Sequence, residues 1–267
     1  MRSLHFISGL PRSGSTLLAA ILKQNPRVNA AMSSPVAGMF GAMQTVLSGK
    51  NEFSVFITER KRKAILRGLF DSFYGDDDKE VVFDTNRAWS GKLAALSQLY
   101  PDAKMVCCVR SMVSIIDSFE RLVQANPLEP SRMFQYQASG SVYSRVDEML
   151  RPEGVIGSAL QGLKQACYSP LADRLLIVPY EKLVGDPEAV LDRIYGFIGE
   201  QRFAHNFSDV AYDADEFDVK MGLPNLHRVG RVVEAKVRTP ALPPDLISRF
   251  GDRPFWAEPA IAARHVA

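Results

Sequence analysis

Residues 9–16 read GLPRSGST and separate an apolar run typical of a buried strand from a segment with helical period. At such a junction, backbone N–H groups and the dipole of the helix that begins there favour an anion. Gly9 and Gly14 have the spacing of the nucleotide-triphosphate loop G-x-x-x-x-G-K-[ST]. Ser15, however, replaces the lysine that reaches the β- and γ-phosphates. The loop therefore predicts a phosphate site that is poorly suited to ATP.

The side chains of this loop strengthen the anion hypothesis. Arg12 brings a positive charge into the turn, and its planar guanidinium can hold two oxygens of a phosphate or sulfate group. Ser13, Ser15 and Thr16 add hydroxyl donors. A glycine-rich turn that only connects a strand to a helix is the alternative, and the strand, helix and arginine context favours phosphate binding over it.

The remaining sequence alternates short apolar runs with segments of helical period, which predicts an α/β fold. We expect a central parallel sheet flanked by helices, of the P-loop nucleotide-binding type. Buried strands are expected at residues 4–8, 81–84, 104–109 and 175–178. Helices are expected at residues 14–24, 90–100 and 187–198, and after Arg110.

The 267 residues are expected to form a single domain with a core at about residues 4–199. Residues 28–79 read as helices and loops, whereas residues 209–267 have little periodicity. We expect the latter segment to pack over the core as loops and short helices.

Charge and cysteine content exclude several classes of protein. The 32 basic and 30 acidic residues give a net charge of +2, which does not indicate binding to nucleic acid or a membrane surface. Cys107, Cys108 and Cys167 lack metal-ligand spacing, so we expect buried free thiols and no metal. No run reaches membrane-spanning length and the start lacks signal-peptide features, so we expect a cytoplasmic protein, although residues 206–208 formally match a glycosylation site.

Residues 11–18, PRSGSTLL, resemble the 5′-phosphosulfate-binding loop of the sulfotransferase superfamily. In that family the pattern P-[RK]-x-G-[ST]-[ST] binds the 5′ end of 3′-phosphoadenosine 5′-phosphosulfate. The resemblance implies that this donor is bound by the following residues: Pro11, Arg12, Ser13, Gly14, Ser15 and Thr16. The product would be adenosine 3′,5′-bisphosphate.

Two further segments resemble the family. Arg110 ends the strand at residues 104–109 and Ser118 follows eight residues later, which is similar to the segment that binds the 3′-phosphate of the donor. An arginine at a strand's carboxyl end lies at the crevice where α/β proteins bind ligands. Residues 178–187, VPYEKLVGDP, resemble the family's Y-E-D-L-x-x-D-P segment, which implies that Tyr180 lies near the nucleotide. A partly buried aromatic side chain is the alternative for Tyr180.

Residues 222–231, GLPNLHRVGR, loosely resemble the basic C-terminal loop that closes over the 3′-phosphate in many sulfotransferases. The resemblance implies that Arg228 or Arg231 adds a cation there, and an exposed basic loop is the alternative. The sequence as a whole looks like bacterial sulfotransferases related to the tyrosylprotein enzymes. This implies a hydroxyl acceptor, such as peptide tyrosine or a small phenol or alcohol, with a glycan or lipid also open.

The catalytic groups are assigned less directly. Arg12 is expected to stabilise charge on the leaving phosphate. Tyrosylprotein and heparan sulfotransferases place a glutamate soon after the first helix, but residues 29–34 read NAAMSS. Cytosolic sulfotransferases have a histidine after the second strand, where residues 83–89 read FDTNRAW. Asp84 is therefore the candidate base, although it could instead pair with Arg12 or Arg87, or cap the next helix.

Two other functions remain open from the sequence. One is a P-loop kinase or nucleoside triphosphatase, in which Asp84 would help to hold Mg²⁺. The other is a nucleotide-binding protein without catalytic activity. The acceptor pocket is expected from loops at residues 32–62 and 126–154 and from the C-terminal segment. The sequence does not specify an oligomeric state.

Overall fold

The computed structural model describes residues 2–49, 52–125, 140–212, 214–220, 226–236, 238–251, 254–261 and 267. Five strands form one parallel sheet in the order β2-β3-β1-β4-β5. The strands are β1 Ser3–Gly9, β2 Val28–Ala30, β3 Val81–Thr85, β4 Met105–Val109 and β5 Leu175–Pro179.

Helices connect these strands and cover both faces of the sheet. In chain order they are α1 Ser15–Leu22, α2 Val36–Val46, α3 Glu59–Phe73, α4 Leu93–Leu99, α5 Met112–Ala125, α6 Val142–Leu150, α7 Gly157–Cys167, α8 Tyr180–Gly185, α9 Pro187–Ile198, α10 Asp215–Lys220 and α11 Pro244–Phe250. Short 3₁₀ helices lie at Glu52–Phe56, Arg87–Lys92, Ala172–Arg174 and Phe255–Ala257. The predicted fold class, a central parallel sheet flanked by helices, is confirmed.

The core is divided between the two faces of the sheet because successive side chains of a strand point to opposite faces. Cys107 packs into the cluster on one face and Cys108 into the cluster on the other. The four strands predicted as uninterrupted apolar runs are all observed, with bounds that differ by at most one residue at either end. β2 lies in a segment that was predicted as helices and loops, so its strand character is a correction.

The strand order brings the carboxyl ends of β1 and β4 together. Gly9 lies opposite Cys108, and the N–H of Leu10 donates to the carbonyl of Cys108 over 2.8 Å. Ligands of open α/β sheets bind at the carboxyl ends of strands on either side of a change in strand order, and β1 and β4 flank such a point. The fold therefore places residues 9–16 beside the segment that begins with Arg110.

Described residues after position 206 are hydrogen-bonded to one another, and Ala267 is hydrogen-bonded to the sheet. The N–H of Val210 donates to the carbonyl of Arg231, and the N–H of Val233 donates to the carbonyl of Phe207. The N–H of Ala267 donates to the carbonyl of Ile177 in β5. Among the described helices, none has the length and apolar character needed to cross a bilayer.

Candidate functional site

The backbone of the loop after β1 takes left-handed conformations at three positions. Gly9 has φ +108°, Arg12 has φ +58° and Gly14 has φ +91°. At Gly9 a Cβ atom would lie 2.1 Å from the carbonyl oxygen of Cys108, so only glycine fits beside β4. Arg12 is the residue of the three that is not glycine, and a residue with a side chain loses about 1–2 kcal/mol in this conformation. Such strain is typical of functional sites.

Gly14 explains the position of Tyr180. A Cβ atom at Gly14 would lie 2.8 Å from Cδ2 of Tyr180, so the missing side chain gives the tyrosine ring room against the loop. Tyr180 is the first residue of α8, directly after β5. The Arg110 guanidinium carbon lies 4.1 Å from the centre of the Tyr180 ring, within the range of a cation–π interaction.

Arg12 donates hydrogen bonds to two residues that are distant from it in the chain. Its Nε donates to Oγ of Ser118 over 3.0 Å, and Nη1 donates to the carbonyl of Leu226. Burial and the nearby charge of Arg110 lower the pKa of Arg12 to about 10, so it stays protonated at neutral pH. A buried cation next to a second cation favours an anion between them or beside them.

Arg110 reaches the loop from the end of β4. Its Nη1 donates to the carbonyl of Arg12 over 3.5 Å, which is a long contact. Its Nε is buried and has no hydrogen-bond partner among the described residues. Oγ1 of Thr85, at the end of β3, is buried and unpaired in the same way. Buried polar groups are normally paired, so these two atoms mark places for a polar ligand.

A cavity of about 710 Å³ opens between these residues, within the range of small-molecule sites. Pro11, Arg12, Gly14, Ser15, Thr16, Arg110, Ser118, Tyr180 and Arg228 line it. Its basic side chains are Arg12, Arg87, Arg110, Arg228, Lys236 and Arg238, and its acidic ones are Glu148, Glu153 and Glu234. The excess of positive charge in the wall favours an anionic ligand although the protein as a whole is nearly neutral.

Two of the residues expected to bind the donor, Ser13 and Arg231, are not part of this cavity wall. Ser13 is fully buried, and its hydroxyl donates to the carbonyl of Pro11 over 3.3 Å, which stabilises the turn. Arg231 has a side chain that is 79% exposed, and its Nε is 2.7 Å from Oδ1 of Asp209. The interaction of Arg231 with Asp209 corresponds to the exposed basic loop considered above. Residues 221–225 and 126–139, expected near the nucleotide and the acceptor, lie outside the described residues.

The side chain of Asp84 is buried on the face of β3 that points away from the cavity. Both carboxylate oxygens accept from the hydroxyl of Ser34, at 2.8 and 2.7 Å. Oδ2 also accepts from the hydroxyl of Tyr74 over 2.8 Å, and Oδ1 from Nε1 of Trp89 over 2.7 Å. Burial raises the pKa of Asp84, although these three donors oppose the shift. Asp84 is fully buried and is not part of the cavity wall, which favours a structural role and leaves neither Arg12 nor Arg87 as its partner.

His227 lines the cavity and was not among the sequence candidates. Its Nδ1 is 2.6 Å from Oδ1 of Asp218, and its backbone N–H donates to Oδ2 over 2.8 Å. Asp218 lies in α10 and is only 1% exposed. Nothing in the sequence pattern links a histidine in an irregular segment to an aspartate nine residues earlier, so the pair was found only in the structure.

The fold is a parallel α/β sheet with a cavity at the strand ends whose wall carries more basic than acidic side chains. The sequence model of the Sulfotransferase family matches residues 5–204, and the chain belongs to this family. The match supports a sulfotransferase activity in general terms.

Solved structures resemble this fold at low sequence identity. The sulfotransferase domain from the curacin biosynthetic pathway is 20% identical over 76% of each chain, with a TM-score of 0.50. A sulfotransferase from Alicyclobacillus acidocaldarius is 19% identical over 82% of this chain and 90% of its own, also with a TM-score of 0.50. Among curated protein sequences, no significant match was found.

Proposed function

We propose that this protein transfers a sulfuryl group from 3′-phosphoadenosine 5′-phosphosulfate to a hydroxyl acceptor. The observation that carries the proposal is the meeting of Arg12 and Arg110, from two separate strand ends, at one cavity. A doubly phosphorylated adenosine needs cationic groups for two phosphates, and these two guanidinium groups supply them.

The residues around the loop suit the 5′ end of this donor. Pro11, Arg12, Gly14, Ser15 and Thr16 line the cavity where α1 begins, and helix N-termini favour anions. In the transfer, the bond between sulfur and the bridging oxygen breaks and the electron pair stays on the 5′-phosphate. Arg12 would stabilise that negative charge. Electrostatic stabilisation of this kind is usually the largest single contribution to catalysis.

Arg110, Ser118 and Tyr180 suit the 3′-phosphate and the adenosine. The unpaired Nε of Arg110 is a donor that a phosphate oxygen would satisfy. Ser118 accepts a hydrogen bond from Arg12 through its oxygen and keeps its own proton to donate. Arg228 lines the same cavity and would add a further cation, so we propose Arg228 rather than Arg231 for this role.

The Mg-ATP alternative is less consistent with these residues. Ser15 stands in place of the phosphate-binding lysine. Asp84, which would have to approach Mg²⁺ at the end of β3, instead accepts from Ser34, Tyr74 and Trp89 outside the cavity. We further propose a reducing, cytoplasmic location, because Cys107, Cys108 and Cys167 are all free and buried.

The proposal is tested by incubating the protein with ³⁵S-labelled donor and a panel of hydroxyl compounds: tyrosine peptides, simple phenols and aliphatic alcohols. We expect labelled product from at least one class without added Mg²⁺, with adenosine 3′,5′-bisphosphate released in equal amount. Donor binding without transfer to any acceptor would favour an inactive nucleotide-binding protein. Phosphorylation from Mg-ATP, without sulfuryl transfer, would contradict the proposal.

A further inference from the structure

The cavity contains a histidine held in one orientation by a buried carboxylate. Two contacts fix His227 against Asp218: the ring Nδ1 to Oδ1 at 2.6 Å and the backbone N–H to Oδ2 at 2.8 Å. Asp218 is buried, so its charge is directed to the imidazole rather than to solvent. The ring of Phe217 packs against the His227 ring at a centroid distance of 5.5 Å. His227 therefore has little freedom to rotate.

This arrangement selects the tautomer of His227. An ionised carboxylate can only accept a hydrogen bond, so Nδ1 carries the hydrogen and Nε2 keeps its lone pair. No hydrogen bond to Nε2 occurs among the described residues, and the side chain is 19% exposed. His227 thus presents an unprotonated nitrogen at the cavity, which is the form that a general base requires.

Burial, together with two nearby cations, keeps His227 neutral. Asp218 raises its pKa, whereas Arg12 and Arg87 lower it. Burial lowers it most, and the net effect is a pKa below the usual value for histidine. The imidazole is therefore available to accept a proton at neutral pH.

His227 is also close to the end of the cavity where transfer is proposed. The preceding residue, Leu226, accepts a hydrogen bond from Nη1 of Arg12 through its carbonyl. Of the three acidic side chains in the wall, Glu148 is paired with Arg151 and Glu234 with Lys236. His227 is thus joined through the adjacent peptide to the arginine proposed for the leaving group.

We propose that His227 is the general base of the transfer and that Asp218 is its positioning residue. The proposal rests on the proposed function. Nε2 takes the proton of the acceptor hydroxyl as the acceptor oxygen bonds to sulfur. The bond from sulfur to the bridging oxygen breaks, and its electron pair remains on the 5′-phosphate. The imidazolium then returns its proton to solvent.

A direct test follows the His227 ring by NMR during titration with adenosine 3′,5′-bisphosphate. The chain has four histidines, and the spectrum of His227→Asn assigns the relevant signal. In the free protein we expect the neutral Nδ1–H tautomer. The bound phosphates should shift the signal and raise the pKa of His227, because added negative charge stabilises the imidazolium. His205, whose Nε2 is 3.0 Å from the hydroxyl of Tyr195 outside the cavity wall, should not respond.

The outcomes separate the base assignment from the donor assignment. If the bisphosphate stabilises the protein but leaves the His227 signal and its pKa unchanged, the base assignment is wrong and the donor site stands. An Nε2–H tautomer in the free protein would also overturn the base assignment. If the bisphosphate does not bind, the donor assignment fails and the base assignment falls with it.

Kinetics give a second test with the acceptor that the wild type uses best. His227→Asn should lower kcat by about 10²–10⁴-fold, the usual contribution of a general base, with bisphosphate affinity changed less than about threefold. His227→Ala should be partly rescued by added imidazole. His205→Asn is the matched control, with kcat close to that of the wild type. A kcat for folded His227→Asn within about fivefold of the wild type would contradict the assignment.

The pH profile tests the positioning role of Asp218. The rate should rise with pH as His227 loses its proton. Asp218→Asn removes a charge that raises the pKa of His227, so the acidic limb should move to lower pH while the plateau of kcat falls. A merely structural role would lower stability without moving the limb. An unmoved limb in the folded variant would therefore contradict this role for Asp218.

Discussion

Nε of Arg12 donates a 3.0 Å hydrogen bond to Oγ of Ser118, which joins the loop after β1 to the helix that follows β4. These residues are 106 positions apart in the chain. The two segments were expected at opposite phosphates of one donor, and this contact places them at one cavity wall. Because a hydroxyl both accepts and donates, Ser118 can hold Arg12 and still bind a phosphate oxygen.

Arg12→Ala should remove most of the transfer activity. The guanidinium is proposed to stabilise the charge that develops on the leaving phosphate, so its loss should lower kcat by about 10²–10³-fold, as for the loss of a comparable oxyanion donor. Donor affinity should fall less, since the backbone N–H groups of the loop remain. The measurement is kcat and KM with labelled donor, and a loss confined to KM would contradict the assignment.

Arg110→Ala should reduce the discrimination between nucleotides with and without a 3′-phosphate. Hydrogen bonds to charged groups contribute about 1.5–3 kcal/mol, so affinity for adenosine 3′,5′-bisphosphate should fall by about 10–100-fold. Affinity for adenosine 5′-phosphate should change little. Arg231→Ala is the matched control, because its partner is Asp209 and it lies away from the cavity wall. Calorimetric titration of each variant gives both affinities, and equal losses for the two nucleotides would argue against a 3′-phosphate contact.

Gly9→Ala should destabilise the fold itself. The new Cβ atom would lie 2.1 Å from the carbonyl oxygen of Cys108, and φ is +108°. The strained backbone alone costs about 1–3 kcal/mol, and the clash with β4 adds to it. Gly199→Ala is a useful comparison, because Gly199 also has positive φ but no atom within 4 Å of the added Cβ. Thermal unfolding should show a clearly larger loss at Gly9; equal losses would mean that β4 moves aside.

Asp84→Asn should reduce stability more than turnover. The carboxylate accepts from Ser34, Tyr74 and Trp89, and an amide N–H₂ would face one of these donors. Leaving a buried polar group unsatisfied costs about 1–3 kcal/mol. In the wild type, burial raises the folded-state pKa of Asp84, so stability from this group is present below the unfolded pKa and is lost as pH rises through the folded one. Denaturant unfolding at several pH values should show that the free energy of unfolding depends less strongly on pH in the variant than in the wild type.

Kinetics on the same variant decide between the two roles of Asp84. If the folded Asp84→Asn protein keeps the wild-type kcat, Asp84 has a structural role. A large fall in kcat, with nucleotide affinity and stability unchanged, would instead support Asp84 as the base.

The strands of the sheet were predictable because a strand covered on both faces is apolar along its whole length. This holds for β1, β3, β4 and β5, which are buried over most of their length. β2 has only three residues, VNA, which is too short for a periodic signal. Its strand character depends on pairing with β3, a contact between distant parts of the chain.

The part of the site that lies within one short sequence motif was predictable, whereas contacts between distant residues were not. The loop at residues 9–16 was predictable because its glycines and arginine are adjacent in the sequence. At the end of β3 the sequence indicated the strand but not which of two neighbouring side chains faces the cavity. Alternation places Thr85 in the cavity wall and Asp84 behind it. The pairing of His227 with Asp218 joins a residue outside any regular element to helix α10, and no periodicity in the sequence indicates such a contact.

We propose above all that Arg12 and Arg110 together bind an adenosine that carries phosphates at both ends. It is tested most directly by comparing the thermal stabilisation given by adenosine 3′,5′-bisphosphate, adenosine 5′-phosphate and Mg-ATP at equal concentration. We predict that the bisphosphate, without any metal, raises the melting temperature most. Strong stabilisation by Mg-ATP together with none by the bisphosphate would contradict it.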